Sequence, residues 1–413
     1  MSELLFSGLK VIDCATVIAA PAAAMILADY GADVIKIEQP GEGDMLRMLS
    51  EIPTTPDGDG NWFWQMDGRN KRSITLDLKQ PDALAVLHRL VEECDVFITN
   101  QPYSVRESLG LCYEDLKPLN PSMIYASLTA YGEAGAERNR KGFDQLAYWA
   151  RSGLMDLMRA PDTRPTQGLP GMGDHPTGVA IYAGIVTALL HRERSGEGGM
   201  VHTSLLANGL WSAAGIAQGA IAGGDMQKYR EVNRVNSAMF RVYQAGDGRW
   251  LQFNMVRNDE LLSLALAAMD ALHLLTDERF QTLDLMWENR EALGDEIAAI
   301  IVTKSSDDWL QVFEEFQVPV NRVALVDEAV ADAQMAANNM IIDGAPEGGV
   351  PRLITHPIQI SSVNRRSPVH APDLGEHTEE ILQELGYTPE EISNLRLSNS
   401  SNANIDDENP TDT

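Results

Sequence analysis

In the stretch LKVIDCATVIAAPAAAMILADYGADVIKIEQ (residues 9–39) the hydrophobic pattern changes twice. The apolar run at 9–15 is short and rich in Val and Ile, which predicts a buried strand. Residues 21–32 begin with Pro and continue with alanines and long aliphatic side chains, a pattern typical of a helix. The run at 33–39 again predicts a strand, so the stretch forms a strand-helix-strand unit.

The same alternation continues beyond this unit. After a loop rich in Gly, Pro, Asp and Thr, the sequence predicts strands at 73–78, 95–101 and 122–132, with a helix at 81–94 between the first two. Strands separated by helices are typical of a mostly parallel, doubly wound sheet. We therefore expect an α/β fold whose large domain is Rossmann-like and has an open sheet.

Changes in pattern also predict the domain organisation. Apolar helices at 176–194 and 205–224 complete a large domain over residues 1–224. A predicted hairpin at 239–256, with its turn at Asp247-Gly248, and helical segments at 258–315 indicate a second, smaller unit. We predict three further parts in chain order: a smaller α/β domain at 225–335, a return to the large domain at 336–395, and a disordered acidic tail at 396–413.

The composition disfavours several classes of function. The 413-residue chain has 60 acidic and 32 basic side chains and a formal charge of −28, which opposes binding to nucleic acid or to an anionic membrane. No window approaches about 18 uninterrupted apolar residues, and the first residues lack a signal-peptide pattern, so we expect a cytoplasmic protein. Cys14, Cys94 and Cys112 show no C-x-x-C spacing, and neither a disulfide nor a metal site is expected.

The motifs of the common α/β enzymes are absent. The first strand-to-helix turn is ATVIAAPAAA instead of G-x-G-x-x-G, and the sequence contains no P-loop, H-E-x-x-H or G-x-S-x-G motif. Two basic clusters, at 68–73 and 137–144, lie just outside predicted strands. Cationic loops at that place suit a polyphosphate ligand, although surface ion pairs would produce the same pattern.

One carboxylate, that of Asp174, lies where the loop of GLPGMGDHPTGVAIYAG (168–184) meets a predicted helix. This position predicts a helix N-cap, whose bonds to backbone N–H groups would keep the carboxylate ionised. The adjacent Gly171 and Gly173 leave the same carboxylate open to a substrate, so Asp174 is also a candidate nucleophile. Helix N–H groups would then be available to a nearby oxyanion.

Six segments of the chain resemble the family III coenzyme A-transferases, whose members include formyl-CoA, carnitine and 2-hydroxyacyl or aryl-acyl CoA-transferases. The motifs ITNQP, KGFDQLAYWARSG and PGMGDHPTG are most similar to the branch that transfers CoA among 2-hydroxy, aryl or branched-chain acids. The resemblance implies an interlocked homodimer. The segments occur in the family's order and extend to about residue 395: 8–44, 70–79, 141–153, 170–178, 189–206 and 374–387.

The resemblance also implies a mechanism and a binding site. Asp174 matches the family's catalytic aspartate, which forms an acyl-aspartyl anhydride and then an aspartyl-CoA thioester before CoA passes to the acceptor acid. The implied partners are an acyl-CoA and a free carboxylic acid, with the CoA thioester as substrate and no permanently bound cofactor or metal. The family's CoA-binding positions correspond to Val17, Ile18, Ala19, Asn70, Lys71, Asn100, Gln101, Lys141, Gly142, Phe143 and Asp144.

Departures from the family pattern keep alternatives open. Gln39 and Ser108 occupy places where some relatives carry an Arg for the nucleotide, and Arg106, one turn before Ser108, is the candidate substitute. An α-methylacyl-CoA racemase of the same fold would need an acid/base pair, but Phe143 stands where those relatives carry His. His175, second in the predicted helix, is favoured as a structural residue over a base. A CoA-binding protein without catalysis is the third alternative.

Overall fold

The structure, a computed structural model, describes residues 4–159, 163–232, 238, 240–254 and 259–400. Its main feature is a parallel sheet of six strands in the order β3-β2-β1-β4-β5-β6. The five predicted strands are confirmed, and the sixth, which the sequence did not predict, pairs with β5. The strands are β1 (Lys10–Cys14), β2 (Asp33–Glu38), β3 (Arg72–Thr75), β4 (Val96–Thr99), β5 (Ile124–Thr129) and β6 (Gly199–Ser204).

Helices flank this sheet, and three of the predicted ones are confirmed within a few residues. The predicted helix at 205–224 is instead two helices that meet at Ala213. The helices up to this point are α1 (Ala19–Asp29), α2 (Trp62–Gly68), α3 (Pro81–Glu93), α4 (Tyr103–Leu109), α5 (Tyr113–Leu116), α6 (Leu154–Leu157), α7 (Asp174–Ser195), α8 (Leu205–Ser212) and α9 (Ala214–Ile221), with a 3₁₀ helix at Met45–Glu51 and a π-helix at Gln145–Ala150.

Both faces of the sheet are covered, as the alternation of side chains along β1 requires. Val11 packs in a core with α1 and α7, whereas its neighbour Ile12 packs in a second core with α3 and the last helices of the chain. The strands β1, β2, β4 and β5 are buried almost throughout because each face of the sheet carries helices.

The predicted hairpin near residue 247 is confirmed, and it belongs to an antiparallel sheet ordered β7-β8-β9 with a core of its own. Gly248 has φ +81°, which the turn requires. The elements are α10 (Met226–Val232), β7 (Val242–Gln244), β8 (Trp250–Phe253), α11 (Asp259–Ala268), a 3₁₀ helix (Leu272–Thr276), α12 (Leu283–Glu288), α13 (Arg290–Ile301), α14 (Ser306–Glu315), β9 (Val320–Arg322), α15 (Val326–Val330) and α16 (Ala333–Ala337).

The last segment contains β10 (Ile341–Asp343), a 3₁₀ helix (Pro346–Gly348), β11 (Arg352–Ile354), α17 (Thr378–Glu384) and α18 (Pro389–Ser400). Helix α18 continues to Ser400, through the first five positions of the predicted disordered tail, and the tail itself stays a prediction. Residues 401–413 lie outside the described part. No helix among the described residues is long and apolar enough to cross a membrane.

The chain divides into two compact units. One comprises Met1–Arg159, Pro165–Ala217 and Ala336–Thr413, and the other comprises Ala160–Arg164 and Gln218–Met335. The domain boundaries predicted after residues 224 and 335 remain a prediction. All residues of the site described next belong to the unit with the six-stranded sheet.

Candidate active site

The order of the strands places a crevice between β1 and β4, where the strand order reverses. In open α/β sheets, ligands bind at such a switch point, outside the carboxyl ends of the strands. The loops after the two strands are joined here by Asn100, whose Oδ1 accepts from Thr16 N (2.9 Å) and whose Nδ2 donates to Thr16 O (2.6 Å). Asn100 therefore fixes the loop that carries the predicted residues 17–19.

Val17 in this loop has φ +68°, a conformation that is a genuine outlier for a β-branched residue. Asp44 holds it there, because its Oδ1 accepts from Val17 N at 2.8 Å. Asp44 is itself buried, and its other oxygen lies 2.7 Å from Nζ of the buried Lys36. Burial lowers the pKa of Lys36, but Asp13 and Asp44 raise it more, so the ammonium stays charged. Strained backbone of this kind is concentrated at ligand-binding and active sites.

Helices α1 and α7 approach each other unusually closely at their N-termini. A Cβ built on Gly178 would lie 2.6 Å from Ala19 O, and one built on Gly171 would lie 3.1 Å from Ile18 Cδ1. Only glycine at position 178 permits this distance. The approach brings the 17–19 loop next to the start of α7, where Asp174 lies.

A second segment reaches the same place from the π-helix. Asp144 Oδ2 accepts from Gly173 N (3.2 Å), and Oδ1 accepts from Gln145 N (2.7 Å). A Cβ on Gly173 would lie 2.6 Å from the ring of the buried Tyr148. The loop that precedes Asp174 is thus held against the π-helix, a type of element that is frequent at functional sites.

Asp174 is the first residue of α7, and Gly173 is the N-cap. The prediction that Asp174 caps the helix is therefore wrong, and so is the expectation that capping bonds keep it ionised. Burial raises the pKa of Asp174 to about 7, and the negative charges of Asp144 and Asp67 act in the same direction, whereas His175 opposes them. The carboxylate is still partly exposed, so a substrate can reach a side chain that titrates near neutrality.

His175 contacts a residue that the sequence did not indicate. Its Nε2 lies 3.3 Å from Oδ2 of Asp67, which is fully buried at the end of α2. Burial lowers the pKa of His175, but Asp67, followed by Asp174, raises it above its ordinary value. No local pattern could have predicted this pair, because the two residues are 108 positions apart.

The cations of the first basic cluster, at 68–73, form ion pairs within the protein, which is one of the two alternatives that the sequence left open. Asn70 Nδ2 donates to Oδ1 of Asp29 (2.7 Å), at the far end of α1 and about 15 Å along the helix from Ala19. Lys71 is buried, and its Nζ donates to Asp13 Oδ2 and to the carbonyl of Pro21, both at 2.8 Å. Buried cations must be paired, and these partners are within the chain. A CoA contact by Asn70 or Lys71 stays a prediction.

Arg106, the candidate substitute for a nucleotide-binding Arg, is also internal. The buried guanidinium lies 2.9 and 3.0 Å from the two oxygens of Glu133, and Nε donates to the carbonyl of Gln101 at 3.1 Å. The side chain of Gln101 turns inward as well, with Nε2 3.8 Å from Cys14 Sγ. The geometry therefore gives no support to a phosphate contact by Arg106. Ser108 is exposed and donates to Val105 O, and Gln39 is exposed too.

In the second basic cluster, Arg138 lies over the ring of Tyr103 at 3.9 Å, and Lys141 is open. Lys141 is exposed and has no acidic partner among the residues that the structure describes, whereas Arg140 pairs with Glu137 at 2.6 Å. Gly142 lies against the Tyr131 ring, since a Cβ there would be 3.0 Å from it. Phe143 is 59% exposed. The structure thus brings 17–19, Asn100, 141–144 and Asp174 to one edge of the sheet.

No group of three or more His, Cys, Asp or Glu side chains within the described ranges is placed to hold a metal ion. The fold is an open α/β protein with a parallel sheet, and the partly exposed Asp174 lies near the switch point of its strand order, where ligands bind in folds of this class. The comparisons with known proteins agree with this class and refine it.

The family model described as CoA-transferase family III matches residues 6–378. The chain is 30% identical to (R)-2-hydroxy-4-methylpentanoate CoA-transferase from Clostridioides difficile, covering 95% of this chain and 98% of that protein. It is 31% identical to cinnamoyl-CoA:phenyllactate CoA-transferase from Clostridium sporogenes, covering 95% and 96%. The structure of a CAIB/BAIF family protein from Brucella suis superposes with a TM-score of 0.80 at 30% identity, over 93% and 100% of the two chains.

The chain belongs to the family III CoA-transferases. It is therefore an enzyme of the type that moves CoA between an acyl-CoA and a carboxylate, and the predicted branch of 2-hydroxyacyl and aryl-acyl enzymes is confirmed by the relatives it matches.

Proposed function

We propose that Asp174 carries CoA transfer as a covalent relay. The carboxylate attacks the thioester carbonyl, the C–S bond breaks, and the electron pair leaves with sulfur as the CoA thiolate. The thiolate then attacks the aspartyl carbonyl of the anhydride, releasing the first acid and leaving an aspartyl-CoA thioester. The acceptor carboxylate forms a second anhydride in the same way, and the thiolate returns to the acceptor carbonyl, which restores Asp174.

The surroundings of Asp174 support this relay. The carboxylate is partly exposed at the start of α7, between the strained 17–19 loop and the segment at 141–144. Each step exchanges one activated carboxyl for another, so the nucleophile needs no external energy source. The nearby N-terminus of α1 has no side-chain cap at Ile18, which leaves backbone N–H groups for the tetrahedral oxyanion.

We propose an apolar 2-hydroxy acid with a branched or aryl side chain as the acceptor. Phe143, Met172 and Leu169 are 59, 52 and 71% exposed, and all three adjoin the segments that hold Asp174. The relatives named for 2-hydroxy-4-methylpentanoate and phenyllactate support the same class. We further propose an interlocked homodimer, since α9 has no buried residue and Trp211 beside it is 79% exposed.

A panel of acyl-CoA donors and free acids tests this function. We expect transfer to branched and aryl 2-hydroxy acids to exceed transfer to formate or succinate, and Asp174→Asn to abolish transfer while acyl-CoA still binds. Deuterium entering the acyl α-carbon from solvent without an acceptor would indicate a racemase instead. Tight binding of acyl-CoA with no exchange in the wild type would indicate a binding protein.

A further inference from the structure

Asp67 is a fully buried carboxylate that the covalent relay does not use. Its Oδ2 lies 3.3 Å from His175 Nε2, and its Oδ1 has no hydrogen-bond partner among the described residues. A buried carboxylate with so few partners is costly unless its neighbour is a cation. The imidazole is 41% exposed, whereas Asp67 is not exposed at all. His175 therefore links the buried Asp67 to the open site.

The position of His175 makes its charge unusual. It is the second residue of α7, a helix of 22 residues, and the positive end of the helix dipole disfavours a cation in the first turn. Asp67 opposes that effect by direct contact from α2. A histidine at this place without Asp67 would lose its proton more readily, so Asp67 favours the protonated form of the imidazole.

The charged groups near Asp174 differ in their effect on its ionisation. Asp67 and Asp144 both act against ionisation of Asp174, and His175 acts in favour of it. Lys71 lies near enough to interact with Asp67 but is bonded to Asp13. Helix α1 begins with the sequence AAPAAA and contributes no titratable side chain there. His175 follows Asp174 directly as the second residue of α7, and both residues are partly exposed, so the Asp67–His175 pair adjoins the nucleophile.

We propose that Asp67 and His175 form a positioning pair, in which Asp67 orients the imidazolium so that it serves as the counter-ion of Asp174 and then of the departing thiolate. The inference rests on the proposed relay. In the first step the negative charge moves from the Asp174 carboxylate to the CoA sulfur, and no proton is transferred. A fixed cation beside the carboxylate stabilises the charge before the attack and after it.

The test compares His175→Gln and Asp67→Asn with the wild type. His175→Gln keeps a hydrogen-bond donor for Asp67 but removes the charge. The control is His191→Gln, an exposed histidine of the same helix about 24 Å further along its axis. For each protein, kcat/KM for CoA transfer is measured between pH 5.5 and 9, and the histidine ring protons are titrated by NMR.

In the wild type, kcat/KM should pass through a maximum near neutrality, because Asp174 must be ionised and His175 protonated. His175→Gln should lose the alkaline limb, move the acid limb up by about one pH unit and lower kcat/KM at pH 7 about tenfold. Asp67→Asn should keep both limbs but move the alkaline limb to lower pH. The control should match the wild type.

The NMR titration does not depend on activity. The His175 resonance should titrate above pH 6.5 and move down by about one unit in Asp67→Asn; an unchanged midpoint would overturn the proposal. An unchanged pH profile in His175→Gln would overturn it as well, while transfer that still requires Asp174 would leave the relay intact. Failure of the relay itself differs, because Asp174→Asn would then retain activity.

Discussion

The close approach of α7 to α1 at Gly178 gives a quantitative prediction. In Gly178→Ala the new Cβ would start 2.6 Å from Ala19 O and 3.2 Å from Ala22 Cβ. An ordinary contact is about 3.4 Å or more, so the two helices must separate by about 0.8 Å. Overpacking of this kind costs about 1–3 kcal/mol, and the better helix propensity of Ala returns about 1 kcal/mol.

The expected result is a small loss of stability and a larger loss of activity. A displacement of about 1 Å costs a catalytic site about 100-fold, so kcat/KM for CoA transfer should fall by about 10-fold to 100-fold. Thermal unfolding and steady-state kinetics measure the two effects. The control is Gly199→Ala at the start of β6, where an added Cβ also meets nothing within 4 Å and kinetics should be unchanged. If Gly178→Ala keeps kcat/KM within about twofold of the wild type, the helix approach does not set the position of Asp174.

Three further predictions concern charge. In the wild type, kcat/KM should increase with pH up to about 7, since burial raises the pKa of Asp174 to about 7 and only the carboxylate attacks; a midpoint below pH 5 contradicts this. Asp144→Asn should move that midpoint to lower pH, because it removes a negative charge while an amide oxygen can still accept from Gly173 N; an upward shift counts against it. Asp44→Asn should destabilise the protein by about 3 kcal/mol in urea unfolding, because the buried Lys36 loses the negative charge that lies 2.7 Å from its ammonium; a loss under about 1 kcal/mol would refute it.

The fold could be predicted where burial imposes a periodic pattern. β1, α1 and β2 are buried almost throughout, and their sequences show it. β6 was missed because Gly199–Ser204 is polar and mostly half-buried, so neither an apolar run nor a clear alternation marks it. The boundary between α8 and α9 at Ala213 has no Gly or Pro to indicate it.

The site could be predicted only in part, because local patterns do not show which charges meet in space. Asp174 was found from its loop and from the resemblance to the family. Lys71 and Arg106 looked like ligand cations in the sequence, yet Asp13 and Glu133 bind them inside the protein. Asp67 carried no signal at all, since its partner is brought to it by the packing of α2 and α7 around α1.

Trapping with hydroxylamine shows whether Asp174 forms the covalent intermediates, because hydroxylamine reacts with an activated carboxyl group. The enzyme is incubated with an acyl-CoA and hydroxylamine, then digested and mapped by mass spectrometry, with hydroxylamine alone and Asp174→Asn as controls. We expect a hydroxamate on Asp174, formed only when acyl-CoA is present and in proportion to lost activity. A protein that stays fully active and unmodified at Asp174, or that carries the modification elsewhere, would contradict it.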